Sequence, residues 1–121
     1  MVLAVVDDLL FGSKLRAAAG HAGQPITFAR KRDEVMPALL DQRPDVVIFD
    51  LDRDLLDPIG LIREIRSNPE WADLRLTGFA SHVHVDRLRE ARDAGCNAMA
   101  RSAFVTAMPV LMKPPTDMQE D

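Results

Sequence analysis

Three aspartates follow apolar segments in this sequence, and together they could bind a divalent cation and accept a phosphoryl group. Asp7 and Asp8 come at the end of the apolar run at residues 2–6, and Asp50 ends the run at 46–49. Clustered carboxylates repel each other, and a hard cation such as Mg²⁺ relieves that repulsion because it prefers oxygen ligands. A carboxylate beside such an ion can attack phosphorus in line while the ion neutralises the developing charge. These residues therefore predict phosphoryl transfer to an aspartate.

The elements that position the aspartates alternate between strand and helix. Apolar, β-branched runs alternate with segments of helical period, which is the pattern of βαβ units around a parallel sheet. Strands are predicted at residues 2–6, 25–29, 46–50, 74–79 and 98–100. We expect an α/β, flavodoxin-like fold with a five-stranded parallel sheet in the order 2-1-3-4-5 and helices on both faces. Ligands bind at the carboxyl ends of such strands, so the first and third strands bring the aspartates to one edge.

Individual residues predict where the helices begin and end. Asp33 is the predicted N-cap of the second helix, and Asp57 is that of the third, with a proline at its first position. Gly95 is the predicted C-cap of the fourth helix. The segment at 104–112 contains Pro109, so we expect only a short last helix there.

The length and apolar content fit one soluble domain. The chain has 121 residues, of which 47% are hydrophobic, and this is enough to bury a core. We assign residues 1–112 to this domain and predict a disordered tail at 113–121. The first apolar run ends too early for a signal peptide or a membrane span, so we expect a cytoplasmic protein with no membrane partner.

The charge argues against a nucleic-acid-binding domain, and the cysteine content argues against a disulfide-stabilised one. The formal net charge of −4 argues against nucleic acid as a partner, because domains that bind it directly are strongly basic. The single cysteine, Cys96, cannot form an internal disulfide and is expected to be a small core residue.

Three segments resemble the receiver domains of bacterial response regulators. They are VVDD at residues 5–8, PDVVIFDL at 44–51 and AGCN at 94–97, in the order and spacing of that family. The resemblance runs from about residue 2 to residue 104, which is nearly the whole chain. It implies a single-domain signalling protein in a phosphorelay rather than an enzyme, with a sensor histidine kinase or a phosphotransfer protein as its partner.

The resemblance also implies a role for each acidic residue. Asp50 stands at the position of the phosphoacceptor. Asp7 and Asp8 stand where the family has the acidic pair that helps to hold Mg²⁺. Asp52 stands where the family offers a backbone carbonyl to the metal.

The switch residues of the family are replaced in this sequence. Ala80 stands where the family has a Thr or Ser that contacts the phosphoryl group, with Ser81 one residue later. Ser102 stands where the family has a lysine, and the neighbouring Arg101 is the nearest cation, which could bind phosphoryl oxygens bidentately. The Met-Pro that usually follows the phosphoacceptor is also missing from residues 52–54. These departures predict a weak conformational response to phosphorylation.

Three alternatives stay open. Asp7 and Asp8 could simply be a loop residue and a helix cap. The domain could be a pseudo-receiver that acts only through protein contacts. The motif at residues 50–52 also mimics the nucleophile motif of haloacid-dehalogenase-like phosphatases, although the only later lysine is Lys113. His82 and His84 are expected to be solvent-facing loop residues, because companion metal ligands are missing.

The last segment predicts a contact surface. We expect output to come from this one domain, because no DNA-binding segment follows residue 104. A short last helix would leave apolar side chains exposed beside the fourth and fifth strands. We therefore expect a homodimer or a partner contact there, through Val105, Met108 and Leu111.

Overall fold

Five parallel strands form one sheet at the centre of the molecule. The computed structural model describes residues 1–114, so most of the predicted tail at 113–121 lies outside the described residues. The strands are β1 (Val2–Val5), β2 (Ile26–Phe28), β3 (Val46–Asp50), β4 (Arg75–Ala80) and β5 (Asn97–Ala100). Their order is β2-β1-β3-β4-β5, and all four neighbouring pairs are parallel. The predicted fold class and strand order are confirmed.

Helices cover both faces of the sheet. They are α1 (Leu9–His21), α2 (Val35–Gln42), α3 (Pro58–Arg66), α4 (Val85–Ala94) and α5 (Arg101–Leu111). Residues of α2, α3 and α4 pack in one core cluster, and residues of α1 and α5 pack in the other. Short 3₁₀ turns lie at Arg32–Glu34, Asp54–Leu56 and Pro69–Trp71. No helix within residues 1–114 is both long enough and apolar enough to span a membrane.

β1 and the first four residues of β3 are apolar without alternation because both faces of these strands are covered. All residues of β1 and β3 are buried. Along β3, Val47 and Phe49 join the first cluster, whereas Val46 and Ile48 join the second. Cys96 is also buried, as expected, and burial raises the pKa of its thiol to about 12.

Three phenylalanines form the centre of the second cluster. The ring centroid of Phe79 lies 4.5 Å from that of Phe11 and 4.9 Å from that of Phe104. Such tilted ring pairs stabilise a core beyond the area that they bury. This cluster joins β4 to α1 and α5 directly below the carboxyl edge of the sheet.

The prediction for the start of the second helix was wrong. Asp33 lies within the 3₁₀ turn Arg32–Glu34 and does not cap α2. The Glu34 carboxylate instead accepts hydrogen bonds from the backbone N–H groups of Arg30, at 2.8 Å, and Lys31, at 3.0 Å. The longer side chain of Glu34 can fold back over the preceding turn, and this contact cannot be read from helical periodicity.

The predicted boundaries of the third and fourth helices are confirmed in position. Asp57 precedes α3 and Pro58 is its first residue. The Asp57 side chain does not cap the helix, however: the backbone of this residue is left-handed, with a φ of +46°, instead of the extended conformation of an N-cap. Its carboxylate accepts a hydrogen bond from Arg32 Nε at 3.1 Å. Gly95 ends α4 with a φ of +110°, in the left-handed region that favours glycine.

The last helix is longer than predicted. It runs for 11 residues and includes Pro109, whose missing N–H removes one helical hydrogen bond, to the Val105 carbonyl. Met108 is only 5% exposed and packs in the second cluster, so the expectation that it lies on an open contact surface was wrong. Val105 is exposed, and Leu111 packs partly against the same cluster. Self-association through this side stays a prediction.

Candidate functional site

The aspartates meet at the carboxyl edge of the sheet, as the sequence predicts. β1 and β3 are neighbours, with Val5 paired to Phe49, so Asp7 and Asp8 follow one strand while Asp50 ends the next. We call the region around Asp7, Asp8 and Asp50 the acidic pocket. Their side chains do not all point to one centre, because each makes a hydrogen bond or salt bridge to a different group of the chain.

Asp50 is the buried carboxylate of the acidic pocket. The residue is 6% exposed, and its Oδ1 accepts a hydrogen bond from the Asp52 backbone N–H at 3.1 Å. Burial raises the pKa of the Asp50 carboxyl, and the charges of Asp52 and Asp7 raise it further. The Asp52 N–H and the Arg101 guanidinium act in the opposite direction without cancelling the shift.

Asp8 caps the first helix. Its Oδ1 accepts hydrogen bonds from the backbone N–H groups of Leu10, at 2.9 Å, and Phe11, at 3.2 Å. The first turn of a helix has unpaired N–H groups, and an aspartate at this position satisfies them. The simpler interpretation of Asp8, as a helix cap, is therefore confirmed for one of its oxygens.

Asp7 forms a salt bridge with Arg53, which the sequence analysis did not select as a site residue. The distance from Arg53 Nε to Asp7 Oδ2 is 2.8 Å. The hydrogen bond and charge of Asp7, together with the charge of Asp50, raise the pKa of the Arg53 guanidinium. The only sequence signal was the missing Met-Pro, since Arg53 stands where that segment would begin. A cation from the chain itself is thus part of the acidic pocket.

The acidic pocket, as arranged here, does not fit a bound Mg²⁺ ion. Within residues 1–114, no group of three or more His, Cys, Asp or Glu side chains is placed to hold a metal. Arg53 engages Asp7, Asp8 caps α1, and the Asp52 backbone N–H contacts Asp50. Carboxylate oxygens suit Mg²⁺, but the salt bridge and hydrogen bonds that these aspartates already make oppose its binding.

The Asp52 side chain has a structural role that the sequence analysis missed. Its Oδ2 accepts a hydrogen bond from the Ser81 backbone N–H at 2.8 Å, and its Oδ1 lies 2.7 Å from His84 Nδ1. Burial opposes the charged form of Asp52, but the hydrogen bonds from His84 and Ser81 outweigh it and lower the pKa of this carboxyl. We call these contacts the Asp52 network.

The Asp52 network joins two loops of the carboxyl edge. Asp52 belongs to the loop between β3 and α3, and Ser81 and His84 belong to the loop between β4 and α4. Arg87 of α4 also links the two loops, because its guanidinium donates a hydrogen bond to the Leu51 carbonyl at 3.1 Å. His84 is exposed, as expected, and its ring also contacts the Asp52 carboxylate.

The positions that replace the family's switch residues have distinct surroundings. Ala80 is fully buried, whereas Ser102 is exposed on the first turn of α5. The Arg101 guanidinium carbon lies over the rings of Phe11 and Phe79, 4.9 and 5.0 Å from their centroids. A cleft of about 520 Å³ opens beside Arg101, and its lining includes Ser81, His82, Ala100, Ser102 and Val105.

The phosphatase alternative is not supported by the position of Lys113. α5 begins at the carboxyl edge of the sheet and runs back towards the opposite edge. The Lys113 carbonyl accordingly lies 3.5 Å from the side chain of Arg75, the first residue of β4. Lys113 is therefore at the edge away from Asp50.

Asp50 and Asp52 are expected to affect stability in opposite directions. The folded state raises the pKa of Asp50 above 3.8, so its charged form disfavours folding, increasingly as the pH rises through the folded pKa. It lowers the pKa of Asp52 below 3.8, so the stability that Asp52 contributes is present above that value and lost as the pH falls through the folded pKa. At pH ~7, Asp50→Asn should raise Tm, and Asp52→Asn should cost on the order of 1 kcal/mol because it weakens charge-assisted hydrogen bonds.

Thermal unfolding followed by circular dichroism between neutral and acidic pH would measure both effects. The difference for Asp50→Asn should shrink as the pH falls to the ordinary aspartate value. The difference for Asp52→Asn should persist to a lower pH and disappear as the pH falls through the lowered folded pKa of Asp52. Changes of the same sign for the two variants at neutral pH would contradict this assignment.

Comparisons with solved structures identify the fold. No family model matches the chain, and no curated protein matches it. The phosphorylated cyanobacterial phytochrome response regulator matches with a TM-score of 0.76 and 19% identity, over 93% of this chain and 87% of that one. A chemotaxis response regulator of Vibrio cholerae matches with a TM-score of 0.78 and 15% identity, over 92% and 93% of the two chains.

A third similar structure contains a metal. It is the receiver domain of a sensor histidine kinase from Pseudomonas aeruginosa, with a magnesium ion coordinated in its active-site cleft. It matches with a TM-score of 0.77 and 18% identity, over 92% of each chain. The chain therefore has the fold of response-regulator receiver domains, and at these identities the likeness concerns the fold alone.

Proposed function

We propose that this chain is a receiver-fold signalling module that acts through protein contacts and does not require phosphorylation of Asp50. The salt bridge between Arg53 and Asp7 carries this proposal. An acidic pocket that already holds a cation of its own has less need of a metal to neutralise it. The pseudo-receiver alternative therefore has the stronger support from the geometry.

The switch positions support the same conclusion. A ligand shifts a conformational equilibrium only through contacts that differ between the two states. Ala80 has no hydroxyl to offer a phosphoryl group, and Ser102 has no cationic side chain. The loop after β4 is instead tied to Asp52 through the Ser81 N–H and His84. The conformation of this loop is therefore fixed by Asp52, whether or not Asp50 carries a phosphoryl group.

Exposed apolar side chains supply a surface for protein contacts. Five large aliphatic residues that follow the carboxyl ends of β1, β3 and β4 are more than half exposed: Leu9, Leu10, Leu55, Val83 and Val85. Clusters of exposed apolar residues with polar neighbours mark interaction sites on soluble proteins. We propose these exposed residues at the carboxyl edge as the contact surface for a signalling partner.

The second candidate is phosphorylation of Asp50 in a phosphorelay, with a sensor histidine kinase or a phosphotransfer protein as the donor. An Asp50 oxygen would attack the donor's phosphorus, and the bond from phosphorus to the leaving group would break. Arg101 favours this candidate, because its guanidinium acts on Asp50 and could bind phosphoryl oxygens. The candidate also calls for Mg²⁺ held by Asp7 and Asp8, and such an ion would have to compete with Arg53 for Asp7.

Mass spectrometry of the intact chain after incubation with Mg²⁺ and acetyl phosphate distinguishes the two candidates. We expect no phosphoryl adduct on the wild type, because Arg53 already pairs with Asp7 and no lysine stands at position 102. An adduct on the wild type that is missing from Asp50→Asn would establish the second candidate instead. The same incubation with Asp45→Asn, which changes a carboxylate outside the acidic pocket, controls for the loss of charge.

A further inference from the structure

We propose that Arg53 is the built-in cation of the acidic pocket and excludes Mg²⁺ from Asp7 and Asp50. This inference concerns metal binding by the chain's own residues, and it does not depend on whether Asp50 is phosphorylated. It follows from three features of the acidic pocket, which are the reach of Arg53, the number of cations already present, and the other uses of the remaining carboxylates.

Arg53 bridges the two strand ends that carry the carboxylates. It lies in the loop after β3, and its backbone N–H is 3.4 Å from the Asp50 carbonyl. Its side chain crosses to the end of β1, where Nε donates a hydrogen bond to Asp7 Oδ2 at 2.8 Å. The charge of Asp50 also acts on the same guanidinium. Arg53 therefore offsets negative charge at the edge where a divalent ion would have to bind.

Two guanidinium groups already offset part of the negative charge at this edge. Arg53 pairs with Asp7, and the charge of Arg101 acts on Asp50. A divalent ion beside Asp7 would have to displace Arg53 or bind next to it. Like charges a few ångströms apart repel each other even in water, so the guanidinium lowers the affinity for the ion.

The other carboxylates at this edge have structural uses. Asp8 Oδ1 satisfies the first-turn N–H groups of α1. Both oxygens of Asp52 are held by the loop after β4. A metal that recruited either side chain would have to break these hydrogen bonds. Asp7 and Asp50 are left as the possible ligands for Mg²⁺, and Arg53 already pairs with Asp7. We therefore expect the affinity for Mg²⁺ to depend on whether Arg53 is present.

Titration of the intact chain with MgCl₂, followed by the amide NMR signals of residues 7, 8 and 50–53, tests this proposal. We expect no saturable shift for the wild type at millimolar Mg²⁺, and a saturable shift for Arg53→Met, with an affinity higher by on the order of tenfold. Arg53→Lys keeps the charge and should behave like the wild type. Adding Asp7→Asn to Arg53→Met should abolish the gained binding.

Arg32→Met is the matched control. Arg32 also forms an Nε to Oδ2 salt bridge, with Asp57 at 3.1 Å, and its side chain has a similar exposure, 43% against 47% for Arg53. This variant removes an arginine–aspartate pair outside the acidic pocket, so it should not gain Mg²⁺ binding. Equal Mg²⁺ affinities of the wild type and Arg53→Met would overturn the proposal, as would a folded Arg53→Met that does not bind. Phosphorylation of Asp50 is read separately by mass, so the proposed function and this inference can fail independently.

Discussion

Replacement of Phe79 by alanine is expected to lower the free energy of unfolding by about 3–5 kcal/mol. Phe79 is fully buried, and its ring contacts those of Phe11 and Phe104 at the centre of the second core cluster. Removing the ring leaves a cavity between β4, α1 and α5 that rigid neighbours cannot fill. Urea denaturation at neutral pH would measure the loss.

Phe28→Ala is the control for this prediction. Phe28 lies on the edge strand β2 and is only partly buried, with the guanidinium carbons of Arg16 and Arg30 each 4.9 Å from its ring centroid. A ring that keeps contact with solvent loses less on truncation, so this variant should be clearly less destabilised. Equal losses for the two variants would show that the phenylalanine cluster is not the main packing centre of this face.

Replacement of Ala80 by threonine is expected to cost about 1–3 kcal/mol, because it adds heavy atoms to a closely packed site. Ala80 is fully buried and packs in the first core cluster, together with Leu88 and Ala91 of α4. The core at position 80 is therefore packed against the methyl group of alanine, and we expect it to leave no space for the hydroxyl of a Thr or Ser. Restoring the family's residue at this position should be opposed by packing.

The comparison of Ala80→Thr with Ala80→Ser separates packing from polarity in the same denaturation experiment. Serine adds the hydroxyl alone, so its cost should be smaller if volume is the main cause. An unfilled hydrogen bond would instead penalise both variants similarly. A threonine variant as stable as the wild type would mean that the end of β4 has room for a switch residue, which would weaken the pseudo-receiver proposal.

The fold could be predicted because it depends on patterns that repeat along the chain. The buried runs before Asp7 and at residues 46–49 have no alternation, which is typical of central parallel strands. Five such runs separated by helical segments restrict the topology through the right-handed crossover rule. The meeting of Asp7 and Asp50 at one edge follows from this topology alone.

The contacts within the acidic pocket could not be predicted in the same way. Arg53 reaches Asp7 across a sequence separation of 46 residues, and His84 reaches Asp52 across 32. Such pairs depend on where long side chains lie above the sheet edge, and no periodicity encodes that. The topology also brings Asp8 to this edge, but it does not predict that an Asp8 oxygen accepts hydrogen bonds from the first turn of α1.

Errors at the helix ends have a similar origin. Asp33 is a favourable N-cap by residue type, but Glu34 forms the hydrogen bonds to the preceding turn. Pro109 predicts a short last helix, yet burial of Phe104 and Met108 against the sheet holds α5 together as far as Leu111. In the first case a neighbouring residue makes the local hydrogen bonds, and in the second tertiary packing outweighs a local preference.

The Asp52 network also determines how the carboxyl edge exchanges its amide protons with solvent. One carboxylate holds the Ser81 N–H and the His84 ring, so the loops after β3 and β4 should open as one cooperative unit rather than separately. Exchange at Ser81 then requires the loss of a charge-assisted hydrogen bond, whereas ordinary surface loops exchange their amides almost freely. A partner that binds at this edge would therefore meet a surface that is already ordered, and it would lose little conformational entropy in binding.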